Sequence, residues 1–390
     1  MTDDPRQPEV DPPADPQTAP DGEPLASVHT ASFPEILDRL AASVAVTTYQ
    51  AGKLVLLRND GGVLNTHFRN LSRPMGLAHR GGRLAVGCRL DLWEFHNVPA
   101  VCPKLDESDD YPSQTAQHDA CFLPRRSHCT GDIQVHEMAW VTDEASGDQA
   151  DDLVFVNTAF SCLARRSDEN SFEPVWRPPF IRQLSPGDHC HLNGLAVRDG
   201  RARYATALGE ANEPQGWRQT KRNGGVVIDI PTGEIITRGL SMPHSPRWHD
   251  GRLWLLESGE GTLGVVDRAT GRYEPVAHFP GFTRGLAFAG PLAFVGLSQV
   301  RESAVFSGIP LVERLKEAEE RVCGVWVVDT NNGQTVGFCR FKSGVQEVFA
   351  VEVLPAMRFP DLVNHDPELI SRAYVLGDDA LADVPKELRK

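Results

Sequence analysis

A four-residue phrase with a variable, mostly polar head recurs six times along this chain. The copies are Met75-Gly-Leu-Ala78, His136-Glu-Met-Ala139, Asn193-Gly-Leu-Ala196, His244-Ser-Pro-Arg247, Arg284-Gly-Leu-Ala287 and Glu347-Val-Phe-Ala350. Four of them run through a tight, mostly Gly-containing turn into a second apolar strand, at 83–86, 203–206, 252–255 and 292–295. A repeated scaffold with one variable position per repeat is how a ring-shaped fold presents a site.

The residues after the variable head fall at 76, 137, 194, 245, 285 and 348, in steps of 61, 57, 51, 40 and 63. About forty residues make one four-stranded propeller blade, so the longer steps carry insertions. The stretch 241–280 shows the unit most plainly. A strand enters at His244, 252–256 returns, Thr262-Leu-Gly-Val-Val-Asp267 is the third strand, and 273–277 the fourth. Glycine at the turns supplies the positive φ that tight hairpins need. The third-strand phrase returns at Gly225-Val-Val-Ile-Asp229 and Val325-Trp-Val-Val-Asp329. The expected fold is therefore all-β, a six-bladed β-propeller of four-stranded antiparallel blades. An N-terminal hairpin, 44–49 and 53–58, is expected to close the ring with two C-terminal strands, 345–354 and 373–376, because an open sheet edge invites aggregation. Two stacked β-sandwich domains are the alternative.

Within the 390 residues, 28–380 read as the propeller and 381–390 as a C-terminal tail. Residues 1–27 hold seven Pro and seven acidic residues against one Arg, too little apolar surface to fold, and read as a disordered tail. The net charge of −14 argues against unaided nucleic-acid binding, which needs a basic face. No apolar run reaches 18 residues, so no membrane span is expected. Eight scattered cysteines without a CxxC pair, and no secretory pattern at the N-terminus, point to reduced thiols in the cytoplasm.

In a propeller the first strand of each blade lines the channel. The entry loops and the loops joining second to third strands share one face. The heads Met75, His136, Asn193, His244, Arg284 and Glu347 should then ring the channel mouth, with Arg89, Asn157, Glu210, Glu257 and Arg301 at the ends of second strands. Insertions at 96–131, 209–223 and 298–322, the last with a helix over 310–321, should roof that face. His136, His244, Asn193 and Glu347 form a mixed donor set compatible with one divalent metal ion that keeps open positions for water. His189 and His191 alternate on one side of the approach to Asn193. Without a metal, Arg284 is a rigid bidentate donor for a carboxylate or phosphate. The structural alternative pairs Arg284 with Glu347 and ties the histidines to backbone carbonyls. His118, His128 and Cys129 read as solvated loop residues, and Trp176-Arg-Pro-Pro-Phe180 as packing between blades.

The phrases Arg73-Pro-Met-Gly-Leu-Ala78, Leu153-Val-Phe-Val-Asn-Thr-Ala-Phe-Ser-Cys-Leu163, Trp176-Arg-Pro-Pro-Phe180, His191-Leu-Asn-Gly-Leu-Ala196 and Gly239-Leu-Ser-Met-Pro-His-Ser-Pro-Arg-Trp248 resemble one bacterial family. It is a conserved hypothetical propeller family of unknown function, and the resemblance covers about residues 30–377. It implies the propeller and brings no established activity. A looser similarity links the chain to gluconolactonase- and regucalcin-type propellers, whose single divalent ion is held by carboxylate and amide ligands. Asn193 and Glu347 are the matching types, while the ring histidines and Arg284 depart from that pattern. Streptogramin-lyase-type propellers, with His and Glu around a metal, are similar at the same distance.

Together these readings expect a small-molecule or peptide ligand at the channel mouth, with no nucleic acid and no membrane as partners. The chemistry expected is a metal-assisted hydrolysis or lyase reaction, and the competing class is a non-catalytic ligand-, peptide- or protein-recognition propeller. His136, His244 and Glu347 are the expected proton-transfer residues. Arg284, Asn193, His191, Arg73 and Glu257 are the expected substrate contacts.

Overall fold

Backbone register gathers the strands into six antiparallel sheets, each begun by one short inner strand. These inner strands are Leu77–Arg80, Val135–Thr142, Leu192–Arg198, Pro243–His249, Phe282–Ala289 and Val351–Pro355, in blades 1 to 6. Each neighbours the next, and the sixth neighbours the first, so the ring is closed. The computed structural model describes residues 25–107, 116–142, 151–300, 307–316, 322–364, 367–371 and 373–389. The proposed tail up to residue 24, Arg301 and the last residues of the 310–321 helix lie outside them.

The recurring Gly-Leu-Ala is a packing device. Leu77, Leu195 and Leu286 are at most 2% exposed and fill the seams between blades, each contributing about 1.5–3 kcal/mol of burial. The glycine before each leucine faces the neighbouring inner strand. A Cβ on Gly76 would stand 2.7 Å from Met138 Cγ, and one on Gly285 would stand 2.8 Å from the Val351 nitrogen. The core is thus distributed between blades. Leu54, Leu56, Leu77, Phe95 and Phe122 pack in one seam, and Val156, Leu163, Leu195 and Ile228 in another, with Trp176 and Phe180 against it. The Trp176–Phe180 segment is inter-blade packing, as its composition suggested.

Every junction between consecutive blades is also clasped by a hydrogen bond to a carbonyl near the next inner strand. Four clasps are hydroxyls at the ends of second strands: Thr47 to the Met75 oxygen, Thr158 to Leu192, Ser258 to Thr283 and Ser298 to Val348. From blade 3 to blade 4 the donor is the Asn193 side-chain amide, 2.9 Å from the Pro243 oxygen. From blade 1 to blade 2 it is the Gly76 N–H, 3.0 Å from the Val135 oxygen.

The closing blade differs from the expected one. Three N-terminal strands, Ala42–Thr48, Lys53–Asp60 and Val63–Asn70, join the single C-terminal strand Val351–Pro355. Residues 373–376 form no strand, and Tyr374 is 82% exposed. Instead Pro360–Leu362 pairs in parallel with the outer edge of blade 1, and Ser27–His29 covers the outer edge of blade 5. Both blades flanking the closure therefore have their edges covered. Helix Ser32–Leu40 buries Phe33, Ile36 and Leu37 against Phe68, Phe294 and Phe341.

A buried ionic cluster ties the C-terminal segment down. Asp361, fully buried, lies 3.2 Å from two Arg69 nitrogens, 3.0 Å from His67 Nε2, 3.5 Å from His118 Nε2 and 3.6 Å from Arg58. Arg58 also donates to the Pro360 oxygen and lies over the Phe359 ring. His118 is thus a buried partner rather than a solvated loop residue.

The 96–131 insertion joins the third strand of blade 1, Asp91–Asn97, to the fourth, Ala120–Cys129. A third-to-fourth connection lies opposite the mouth, so this insertion does not roof the site as expected. The other two insertions do lie on the mouth face, after second strands Arg201–Ala207 and Leu292–Ser298. They meet through Trp217, Ile309 and Leu311, packed with Met242 and Phe282. The described part of the expected helix is Pro310–Arg314. All eight cysteines are free thiols.

Candidate active site at the channel mouth

The chain enters blades 1 to 4 through a non-glycine residue in the left-handed region, two positions before the variable head. These are Arg73, Gln134, His191 and Met242, with φ between 47° and 54°. Such backbone costs on the order of 1–3 kcal/mol per residue and persists where surroundings enforce it. In blades 2 and 4 it aims a carbonyl at the imidazole two residues on. His136 Nδ1 lies 3.0 Å from the Gln134 oxygen, and His244 Nδ1 lies 2.9 Å from the Met242 oxygen.

The clasps complete both arrangements. Thr158 Oγ1 sits 2.9 Å from His136 Nδ1 and Ser258 Oγ sits 3.0 Å from His244 Nδ1, and each hydroxyl spends its own proton on the next blade. A carbonyl only accepts, so Nδ1 carries the proton in both rings. Burial, with repulsion from His191 and Arg284, holds both imidazoles well below their ordinary pKa. Neutral rings protonated at Nδ1 leave Nε2 as a bare acceptor. Among the described residues neither Nε2 has a hydrogen-bond partner, and both histidines line one cavity of about 260 Å³ at the mouth.

Met75, Arg284, Glu347 and His191 line the same cavity. Arg284 lies 3.4 Å above the Phe349 ring and donates to Glu347 at 3.4 Å. Burial lowers its pKa to about 10 while Glu347 opposes the shift, so it stays charged at neutral pH. His191 Nδ1 is held by both carboxylate oxygens of Asp188, at 3.0 and 2.9 Å, and Trp217 Nε1–H donates to the same carboxylate at 3.0 Å. The His191 ring stands edge-on to His136 with centroids 4.7 Å apart. Asp188 and Trp217 carried no repeat signal. One lies in the blade 3 entry loop beside His189-Cys-His191, the other in the 209–223 insertion.

Other expected residues stand elsewhere. Asn193 is 3% exposed, and its amide is engaged at both ends, by Pro243 and by Thr206. Arg73 lies over the Tyr49 ring, which lines the cavity, but is not itself in the wall. Glu257 accepts from the Ser241 N–H outside the cavity, and burial pushes its pKa up to about 6. His189 is buried away from the cavity. Arg89 pairs with Asp132 and Glu210 with Arg238 at the surface, while Asn157 caps the Phe160 N–H.

Of the four expected metal ligands, His136, His244 and Glu347 line the cavity and Asn193 stands outside it. Asn193 is committed to its clasp and Glu347 faces Arg284. Among the described residues no group of three His, Cys, Asp or Glu side chains is placed to hold an ion.

A family model described as "Domain of unknown function (DUF4915)" matches residues 31–363. Among curated proteins no sequence match is found. Solved structures similar to this chain include a nidogen/laminin complex, with TM-score 0.49, 8% identity, and coverage of 81% of this chain and 99% of that one. A protein of unknown function from Bacteroides caccae gives 0.48 and 8%, covering 80% and 98%. Virginiamycin B lyase from Staphylococcus aureus gives 0.37 and 12%, covering 75% and 74%.

Proposed function

The chain belongs to the DUF4915 family, and for it we propose an acid–base enzyme, a hydrolase or lyase, acting on a small organic anion at the channel mouth. The observation that carries this reading is the convergence of three imidazoles, His136, His191 and His244, on one recessed cavity beside Arg284, half-buried and paired with Glu347. The two ring histidines are fixed as neutral acceptors, and His191 alone is backed by a carboxylate. An imidazole whose Nδ1–H is held by a carboxylate is oriented to exchange protons through Nε2.

In this reading His191 Nε2 takes a proton from the substrate or from an attacking water and returns it to the leaving group. Arg284 holds the substrate carboxylate or the oxyanion that develops beside it. Trp217, Phe282 and Phe349 exclude water and pack against the carbon skeleton. Asn193 acts from behind the wall by fixing blade 4. No step is routed through a metal: among the described residues no three His, Cys, Asp or Glu side chains are spaced to hold one ion.

The test is a thermal-shift and ligand-observed NMR screen of small organic acids, run in chelator-containing buffer on wild type, Arg284→Ala and His191→Gln. The expected hits bind wild type, are lost in Arg284→Ala, and bind His191→Gln without being turned over. Hits indifferent to Arg284, or turnover that survives His191→Gln, reject the assignment.

A further inference from the structure

The donor and acceptor pattern of the mouth cavity narrows the ligand further. Two acceptor atoms, His136 Nε2 and His244 Nε2, face one small space with no partner among the described residues. Each ring is locked from behind, by a carbonyl that only accepts and by a hydroxyl whose proton is already spent. Neither ring can rotate to offer a donor without abandoning two contacts. A ligand seated here must therefore bring donors of its own, since an acceptor left unpaired in a dry site forfeits its hydration.

The charge around these acceptors selects the kind of donor. Arg284 lines the same wall and repels positive charge at both imidazoles. An ammonium group would meet that repulsion at the imidazoles, whereas a hydroxyl would not. Glu347, 3.4 Å from Arg284, and Asp188 carry the negative charges of the same wall and Arg218 a second positive one. A ligand carboxylate would therefore share the guanidinium with Glu347 or displace it. The volume, about 260 Å³, lies below the roughly 300–1,000 Å³ of clefts that take drug-sized ligands, so the ligand is of metabolite size.

We propose that this cavity binds a small hydroxylated carboxylate that donates two hydroxyls to His136 Nε2 and His244 Nε2 while Arg284 takes its charge. The proposal rests on the reading of the cavity as a small-molecule site and assigns the substrate class within it.

Three four-carbon probes separate its parts: tartrate carries charge and hydroxyls, succinate charge alone, and erythritol hydroxyls alone. Titrations followed by ligand-observed NMR on the full chain, in chelator, should show tartrate bound at least tenfold more tightly than either other probe. His136→Leu/His244→Leu should bring tartrate down to the succinate level, and Arg284→Gln should weaken both anions together. Long-range 15N–1H correlation of wild type should show both Nε2 atoms unprotonated at pH 7, a readout that needs no variant to fold.

Protonated Nε2 atoms would overturn the proposal directly. Succinate binding as well as tartrate would overturn the hydroxyl assignment and leave the anion pocket standing. Failure of all three probes to bind, with both Nε2 atoms unprotonated, would overturn the pocket reading as well.

Discussion

Both carboxylate oxygens of Asp188 lie within hydrogen-bonding distance of His191 Nδ1, at 3.0 and 2.9 Å, which leaves the Nε2 side of that ring for the cavity. The Trp217 indole N–H shares the carboxylate, so one side chain from an entry loop orders both an imidazole and an aromatic wall. Asp188→Asn keeps the shape but offers one acceptor where there were two. Its amide N–H₂ would face an Nδ1 that already carries a proton. For the substrate found in the acid screen, kcat should fall about 10²- to 10⁴-fold, the usual worth of a general base, with KM changed less than threefold. A fall in KM and kcat together, or in thermal stability alone, would make Asp188 a purely structural residue.

The ring was legible because its packing rule is local and repeated. A glycine that meets the next inner strand and a leucine that fills the seam recur as Gly76-Leu77, Gly194-Leu195 and Gly285-Leu286. The strand Val63–Asn70 was not legible, since Asn65, Thr66, His67 and Arg69 give it the composition of a loop. His67 and Arg69 are buried against Asp361, a partner some 290 residues away that no local pattern announces, while Asn65 holds Arg58 and Thr66 the Leu25 carbonyl. At the site, the variable heads were legible as a set, but not their orientations. His136, His244, Arg284 and Glu347 face the cavity, whereas Asn193 in the same register turns sideways to clasp blade 4. Asp188 and Trp217 belong to loops outside the repeat, where periodicity carries no information.

Acid should weaken the fold through its buried neutral histidines. Burial lowers His67 to about 4 and holds His136 and His244 well below 6.5. Between those folded values and 6.5 the unfolded chain binds protons that the native one refuses. Their stabilisation is therefore complete above pH 6.5 and falls as pH drops, by about 2 kcal/mol at pH 5 for His67. Glu352 pulls the other way: burial pushes it up to about 8, so its contribution is present below 4.5 and lost as pH rises through 8. The measurement is accordingly a difference. Urea unfolding of wild type and His136→Gln/His244→Gln at pH 7 and pH 5 should show the variant losing less stability on acidification. Parallel losses would mean that these rings are charged in the folded protein.

Gly194 tests the packing rule. A Cβ there would collide with Thr206 Oγ1 and Pro246 Cδ, on the same side as the clasp to blade 4. Gly194→Ala should cost about 1–3 kcal/mol, as overpacking does. Gly377→Ser, where nothing lies within 4 Å, should stay within about 0.5 kcal/mol. Equal effects at the two positions would show that the recurring glycine is not a close-approach site.

Asp361 is the pivot of ring closure, because Arg58 and Arg69 reach it from two strands of the closing blade while it sits on the edge strand added to blade 1. Desolvation opposes its charge, yet the Arg69 guanidinium and the hydrogen bonds from His67 and His118 hold its carboxyl well below the ordinary range. Asp361→Ala removes the anion and takes from two buried guanidinium groups the counter-ion they share. Deleting one partner of such a cluster costs about 3–5 kcal/mol. That loss should appear as a lower urea midpoint and as faster amide exchange in Pro360–Leu362 and Val63–Asn70, on both sides of the joint. Arg58→Met/Asp361→Leu, which replaces charge with apolar volume, should recover part of the loss, since buried ion pairs often gain little over packed side chains. If the double variant is as unstable as the single one, the cluster contributes geometry that apolar packing cannot replace. If Asp361→Ala is neutral, the apolar packing and strand pairing of the C-terminal segment hold it, and the ionic cluster plays no part in closing the ring.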